Sequence, residues 1–151
     1  MPALEFVVIS DDRALWREVE VALAGTPAVR TVLTTWDAAV DLRPATGERI
    51  VVIDDEGCEG ALAVVQSMRA RERDTQIIYL AARHGIELER EVRRVGVSYY
   101  ADKAATGRNA MLAIEGILRA KGTWIEPGQR GEAGAVQPGL GAREEEKGCV
   151  S

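Results

Sequence analysis

Apolar residues fall into two arrangements that take turns along this chain, short continuous runs and longer stretches carrying one apolar face. The runs lie at about residues 4–10, 29–34, 49–54, 76–81 and 97–101. In the third, Ile50, Val51, Val52 and Ile53 are consecutive and β-branched, which suits a central parallel strand covered on both faces. Between the runs, apolar residues recur at helical spacing. Arg13 to Ala24 presents Leu15, Val19, Ala22 and Leu23 on one face, with Asp12 placed to cap it and Gly25 and Pro27 to close it. Trp36 to Leu42 reads as a short helix ended by Pro44 and Gly47. A tight loop at Gly57 and Gly60 leads into a helix over Ala61 to Arg71, turned inward at Leu62, Val65 and either Met68 or Arg69. Glu87 to Val95 keeps Leu88, Val92 and Val95 inside and stops at Gly96. Thr106 can cap a last helix in which Met111, Ile114, Ile117 and Leu118 repeat.

Strand and helix thus alternate five times with short connections. This pattern predicts a doubly wound α/β domain, (βα)5, with a parallel five-stranded sheet in the order 2-1-3-4-5. The first and third strands then lie side by side, and ligands of such sheets bind at the carboxyl ends of the strands. The domain is expected over residues 1–121. From about Gly122 apolar residues thin out and the chain closes on REEEKGCVS, so residues 122–151 read as a disordered tail, with Trp124 and Ile125 able to pack back.

Composition narrows the function classes. A length of 151 residues suits one domain with a proper core. The net charge of −5 argues against nonspecific nucleic-acid binding. No apolar run approaches the roughly 18 residues of a membrane span, and no basic leader opens the chain. Cys58 and Cys149 form no metal or redox motif. The expectation is a cytoplasmic protein that binds neither nucleic acid nor membrane.

The chemistry gathers at the strand ends. The third run stops on Asp54, Asp55 and Glu56, and the first on Asp11 and Asp12. Two carboxylates about 4 Å apart repel by roughly 4 kcal/mol at an effective dielectric near 20, so several in one cleft need a cation, a proton or a lysine. Mg²⁺ is the natural guest, being a hard ion with oxygen ligands. Lys103, just after the fifth run, stands where a neutralising lysine would have to be.

With these residues in place the chain resembles a response-regulator receiver domain, the phosphoacceptor half of bacterial two-component signalling, over roughly residues 4–121. Asp11-Asp12 match that family's acidic pair and Asp54 its phosphoacceptor. The segment from Gly96 to Lys103 matches the part carrying its switch aromatic, here Tyr100, and its lysine, Lys103. The resemblance implies a flavodoxin-like fold and in-line phosphoryl transfer to Asp54, with Asp11, Asp12 and Asp54 holding Mg²⁺. Lys103 would neutralise the phosphoryl oxygens. It implies a histidine kinase or phosphotransfer protein as donor. A downstream protein would dock on the face formed by residues 87–95, 97–101 and 106–120. The product is a signal, so the protein is not expected to be an enzyme in the turnover sense. With no second domain read after residue 121, the receiver would act alone.

Three departures from the family pattern stand out. Ala81 occupies the end of the fourth strand, where the family usually has a Thr or Ser hydroxyl, so coupling to Tyr100 should be weakened. The loop after Asp54 is short and carries Asp55, Glu56 and Glu59, which would repel a phosphodonor or add a metal ligand. Ala104 replaces a proline that commonly sits on a cis bond, and alanine prefers trans. These departures keep open a second reading, a pseudo-receiver that binds partners without phosphorylation. Asp55 also competes with Asp54 as phosphoacceptor. Asp54 is preferred because the apolar run ends at Ile53, which makes Asp54 the first residue past the strand. His84 reads as a solvated loop residue, and Trp16 and Trp36 as packing. A flavin or dinucleotide enzyme would need a glycine- or hydroxyl-rich turn where this chain has Ser10-Asp11-Asp12-Arg13, and a dehalogenase-type phosphohydrolase would need its two acids separated by one residue.

Overall fold

Five parallel strands, β1 (Leu4–Ile9), β2 (Val29–Thr34), β3 (Glu48–Asp54), β4 (Gln76–Ala81) and β5 (Tyr99–Asp102), form one sheet in the order β2-β1-β3-β4-β5. They are seen in a computed structural model that describes residues 4–26 and 29–120, without the side chains of residues 105–111 and 113. The α-helices are α1 (Arg13–Leu23), α2 (Ala61–Arg71), α3 (Ile86–Val95) and α4 (Lys103–Ala120). The expected order and the parallel doubly wound architecture are both present.

Period-two alternation in the strands sorts the core into two layers. Phe6, Val8, Ile50, Val52, Ile78 and Leu80 face Leu15, Val19 and Leu23 of α1 and Ile114 and Leu118 of α4. Val7, Ile9, Val51, Ile53, Ile77 and Tyr79 face Ala61, Val65 and Met68 of α2 and Val92 of α3. β1 and β3 run in register from Leu4 opposite Glu48 to Ile9 opposite Ile53. Their last residues therefore reach the same edge of the sheet together, and that edge carries the acids.

Several local expectations change. Trp36–Leu42 is not a helix; only Ala38–Asp41 closes, as a single 3-10 turn. Seven residues before a proline are too few to repay helix nucleation, and Val40 offers the core nothing, being 84% exposed. Four α-helices therefore flank the sheet among the described residues, and the one expected as fourth is α3. The last helix begins at Lys103, so Thr106 lies inside it rather than capping it. Asp102 takes the capping role instead, its Oδ1 accepting the Ala104 N–H at 3.1 Å. Proline at 104 could not make that bond. The backbone is trans throughout the described residues, and β5 runs into α4 with no intervening loop. β5 itself begins at Tyr99 rather than Val97. Gly96 ends α3 as expected, at φ +105°. Pro27, Trp124, Ile125, Cys149 and the tail over 122–151 lie outside the described residues, as does the side chain of Met111.

Candidate functional site

Asp54 is the last residue of β3 rather than the first beyond it, and it is completely buried. Continuing the alternation of β3 places its side chain on the α1/α4 side with Ile50 and Val52. The next residue, Asp55, falls on the opposite side with Val51 and Ile53. Adjacent carboxylates thus serve different surroundings.

Three donors hold the Asp54 carboxylate. Oδ2 accepts from the Ser10 hydroxyl and from Lys103 Nζ at 2.8 Å, and Oδ1 accepts the Glu56 N–H at 3.1 Å. Ser10 is buried at the end of β1, and its Oγ also accepts the Asp12 N–H at 2.9 Å, which joins the ends of the two central strands. The indole Nε1–H of Trp36 donates to the Asp54 carbonyl oxygen at 2.7 Å. Trp36, expected to be packing alone, is therefore also a brace for the residue at the centre of the site. Nothing in its sequence position marks that role, because the bond crosses between elements.

Lys103, at the first position of α4, lies among the acids. Its Nζ pairs with Asp12 Oδ2 at 2.9 Å, with Asp54 Oδ2, and with Glu56. Burial on its own would lower the lysine's pKa. The hydrogen bonds it donates to Asp54, Glu56 and Asp12 together outweigh it and hold the ammonium above its ordinary value. In return, the Lys103 hydrogen bond holds the Asp12 carboxyl below the usual carboxylate range, against partial desolvation.

Asp12, Asp54 and Glu56 can each offer one oxygen, and these oxygens lie within 4.8 Å of one another. Three hard oxygen donors with one lysine leave the cluster short of positive charge, and this donor set fits a hard divalent ion such as Mg²⁺. The expected third acid, Asp11, stands outside this group. Its Oδ1 accepts the Trp36 N–H at 3.0 Å and so anchors the entry to the 3-10 turn. Glu56, expected either to repel a phosphodonor or to add a metal ligand, takes a place in the cluster. Asp12 contributes to it and also caps α1, its Oδ1 accepting the Ala14 N–H at 2.9 Å.

Asp55 is engaged elsewhere. Oδ2 accepts the Tyr79 hydroxyl at 2.8 Å and Oδ1 the Ala82 N–H at 2.6 Å. Tyr79 is buried and stacks on Tyr100 with ring centroids 6.0 Å apart and planes 7° from parallel. The Tyr100 hydroxyl lies 2.9 Å from His84 Nδ1. A continuous path, Asp55–Tyr79–Tyr100–His84, therefore leads from the residue beside Asp54 to the α3/β5 edge. Burial first, then the Asp55 hydrogen bond, pushes the Tyr79 phenol well above its usual pKa. Ala81, buried at the end of β4, adds no polar group. The expectation for His84 changes in part, since it is exposed but bonded to Tyr100. Tyr79 carried no signal in the sequence, where it reads as one more residue of an apolar strand.

The fold is that of response-regulator receiver domains. Among solved structures, a response regulator from Thermotoga maritima superposes with a TM-score of 0.60 at 18% identity, over 79% of this chain and 98% of that one. A BeF3-activated DrrB receiver domain gives 0.61 at 16% identity, over 79% and 99%. A response regulator from Burkholderia pseudomallei, solved with a phosphorylated aspartic acid, a calcium ion and citrate, gives 0.59 at 18% identity, over 78% and 72%. No protein-family model and no curated protein matches the chain by sequence. No described helix is long and apolar enough to cross a membrane.

Proposed function

We propose that this chain is a receiver that accepts a phosphoryl group on Asp54 and signals by docking a partner protein. The observation that carries the reading is the setting of Asp54: a buried carboxylate at the end of a central strand, held by Lys103 and Ser10, with Asp12 and Glu56 beside it. In the transfer, an Asp54 oxygen forms a bond to phosphorus as the bond from phosphorus to the donor's leaving group breaks, giving an acyl phosphate. The Lys103 ammonium is placed to offset charge on the phosphoryl oxygens. Asp12, Asp54 and Glu56 are the residues that would hold Mg²⁺, which when bound supplies further charge neutralisation. A histidine kinase or phosphotransfer protein is the donor in this reading, and the chain acts as a signal carrier rather than as an enzyme turning over a substrate.

The output face comprises α3, β5 and α4. Where the family resemblance calls for a hydroxyl at the end of β4, Asp55 and Tyr79 offer a different coupling from the site edge to Tyr100. One observation favours the alternative of a phosphorylation-independent interaction module. Lys103 already pairs with all three acids and Asp55 already takes the Ala82 N–H, so the site is internally satisfied.

Intact mass after incubation with acetyl phosphate and Mg²⁺, with Asp54→Ala in parallel, decides between them. A gain of one phosphoryl group, dependent on Mg²⁺ and lost in the variant, is the expected result. A gain that persists in Asp54→Ala would move the site elsewhere. No gain from acetyl phosphate or from a panel of kinases would leave the interaction module.

A further inference from the structure

The collapse of the expected second helix into one 3-10 turn leaves an open groove between that turn and α2, with a cavity volume of about 330 Å³. Its walls are Ile9, Trp36, Leu42, Val64 and Met68. Its far end is different in kind: Arg43, Arg49, Arg71 and Glu72 line it, and Arg49 pairs with Glu72 and also with Glu5. Three arginines against those two acids is the reverse of the chain as a whole, which carries a net charge of −5.

The three arginines are not equivalent. Arg49 is buried and already committed, to Glu5 at 2.7 Å, Glu72 at 3.4 Å and the Arg43 carbonyl at 2.7 Å. Arg43 and Arg71 are exposed, and among the described residues neither has a carboxylate partner. The groove is therefore polarised along α2, apolar beside Trp36 and cationic at the last turn. From Val64 to Arg71 is seven residues of helix, or about 10 Å, roughly the span of an extended octanoate.

We propose that this groove binds a small apolar carboxylic acid, its hydrocarbon body against Trp36, Val64 and Met68 and its carboxylate between Arg43 and Arg71. The volume lies at the lower end of that of small-molecule sites, which combine apolar walls with a few convergent polar groups. Paired guanidinium groups suit a planar carboxylate. Occupancy also reaches the phosphoacceptor site directly, because the Trp36 ring that lines the groove donates its indole N–H to the Asp54 carbonyl oxygen. Binding here is a property of the chain whether or not Asp54 is phosphorylated.

The test is a titration of the full chain, carrying Trp16→Phe and Trp124→Phe, with octanoate below its micellar concentration. The Trp36 indole fluorescence and its indole N–H resonance are followed. Saturable shifts in both are expected. Arg43→Ala with Arg71→Ala should weaken octanoate about tenfold, the scale of a lost charge-assisted contact, while leaving the weaker binding of 1-octanol unchanged. Val64→Phe, which fills the groove, should abolish both while leaving the fold intact by circular dichroism. Absence of saturable shifts would overturn the proposal. So would equal affinity for octanoate and octanol, or octanoate binding indifferent to both arginine substitutions.

Discussion

Replacing Lys103 with methionine keeps most of the aliphatic stem and removes the charge that three acids share. The ammonium lies 2.9 Å from Asp12 and 2.8 Å from Asp54, and it also contacts Glu56. Without it, three carboxylates with oxygens within 4.8 Å face one another. At that separation and an effective dielectric near 20, each pair repels by about 3.5 kcal/mol. Glu56, 62% exposed, can swing into solvent, and Asp12, 34% exposed, can relax in part. Asp54 is fully buried and cannot. One pair, partly relieved, leaves an expected loss of about 2–3 kcal/mol, a large share of a stability that is typically about 5–15 kcal/mol.

The pH dependence fixes the sign independently. In the native chain Lys103 depresses the Asp12 pKa, so that contribution is present above the unfolded carboxylate value and is lost as pH falls through the folded one. In the variant, repulsion and burial raise the folded carboxylate values instead, and acid relieves them. The stability gap should be wide near about pH 7 and narrow toward about pH 4. Urea denaturation of both proteins at the two pH values, with and without millimolar Mg²⁺, reads this out, and Mg²⁺ should restore stability to the variant by binding only its folded form. A loss under about 1 kcal/mol, a gap that widens in acid, or indifference to Mg²⁺ would each refute the electrostatic account.

Three further outcomes follow from the same geometry. Asp55→Ala strands the Ala82 N–H and the Tyr79 hydroxyl and should cost about 1–3 kcal/mol; a double-mutant cycle with Tyr79→Phe should return a coupling of about 1 kcal/mol, and additivity would break the relay to Tyr100. The raised Tyr79 pKa stabilises the fold fully below the unfolded value of 10.0, and that contribution is lost as pH climbs from there toward the folded value. The stability deficit of Tyr79→Phe should therefore shrink above about pH 10, and tyrosinate absorbance of the folded native chain showing every described tyrosine titrating normally would refute this. Gly96→Ala should cost about 1–2 kcal/mol in thermal or urea unfolding through backbone strain at φ +105° alone, since a Cβ there meets nothing nearer than Arg69 Nε at 3.7 Å.

Much of the architecture was legible because both kinds of periodicity are strong. Five strands and three helices start and stop within a residue or two of where alternation and capping place them, and the order of the sheet is the one expected of a doubly wound fold with short connections. The failures share a physical cause. Trp36–Leu42 has helical composition but too little length, and its backbone is claimed from outside, by Asp11 through the Trp36 N–H. Thr106 is a good cap by residue type, yet Asp102 is nearer the end of β5 and the Ala104 N–H is free to meet it. Residue type specifies what a group can do; which partner reaches it first is decided by the packing of elements far apart in sequence.

The choice between Asp54 and Asp55 shows where the line falls. The end of the apolar run was a poor guide, since Asp54 belongs to the strand. The pleat of β3 was the better one: it puts Asp54 with Ile50 and Val52, and Asp55 with Val51 and Ile53, on opposite sides of the sheet. That much the sequence contains. Which side suits the proposed phosphoryl transfer depends on where Ser10 and Lys103 lie, and their bonds to Asp54 span 44 and 49 residues. Asp55 meets instead a phenol and a backbone N–H from β4 and its following loop, which can satisfy a carboxylate but carry no cation to balance an incoming phosphoryl group. Two adjacent and chemically identical acids are therefore separated by a single peptide's rotation into one held beside a charge that can stabilise a transferred anion and one that can only be held still.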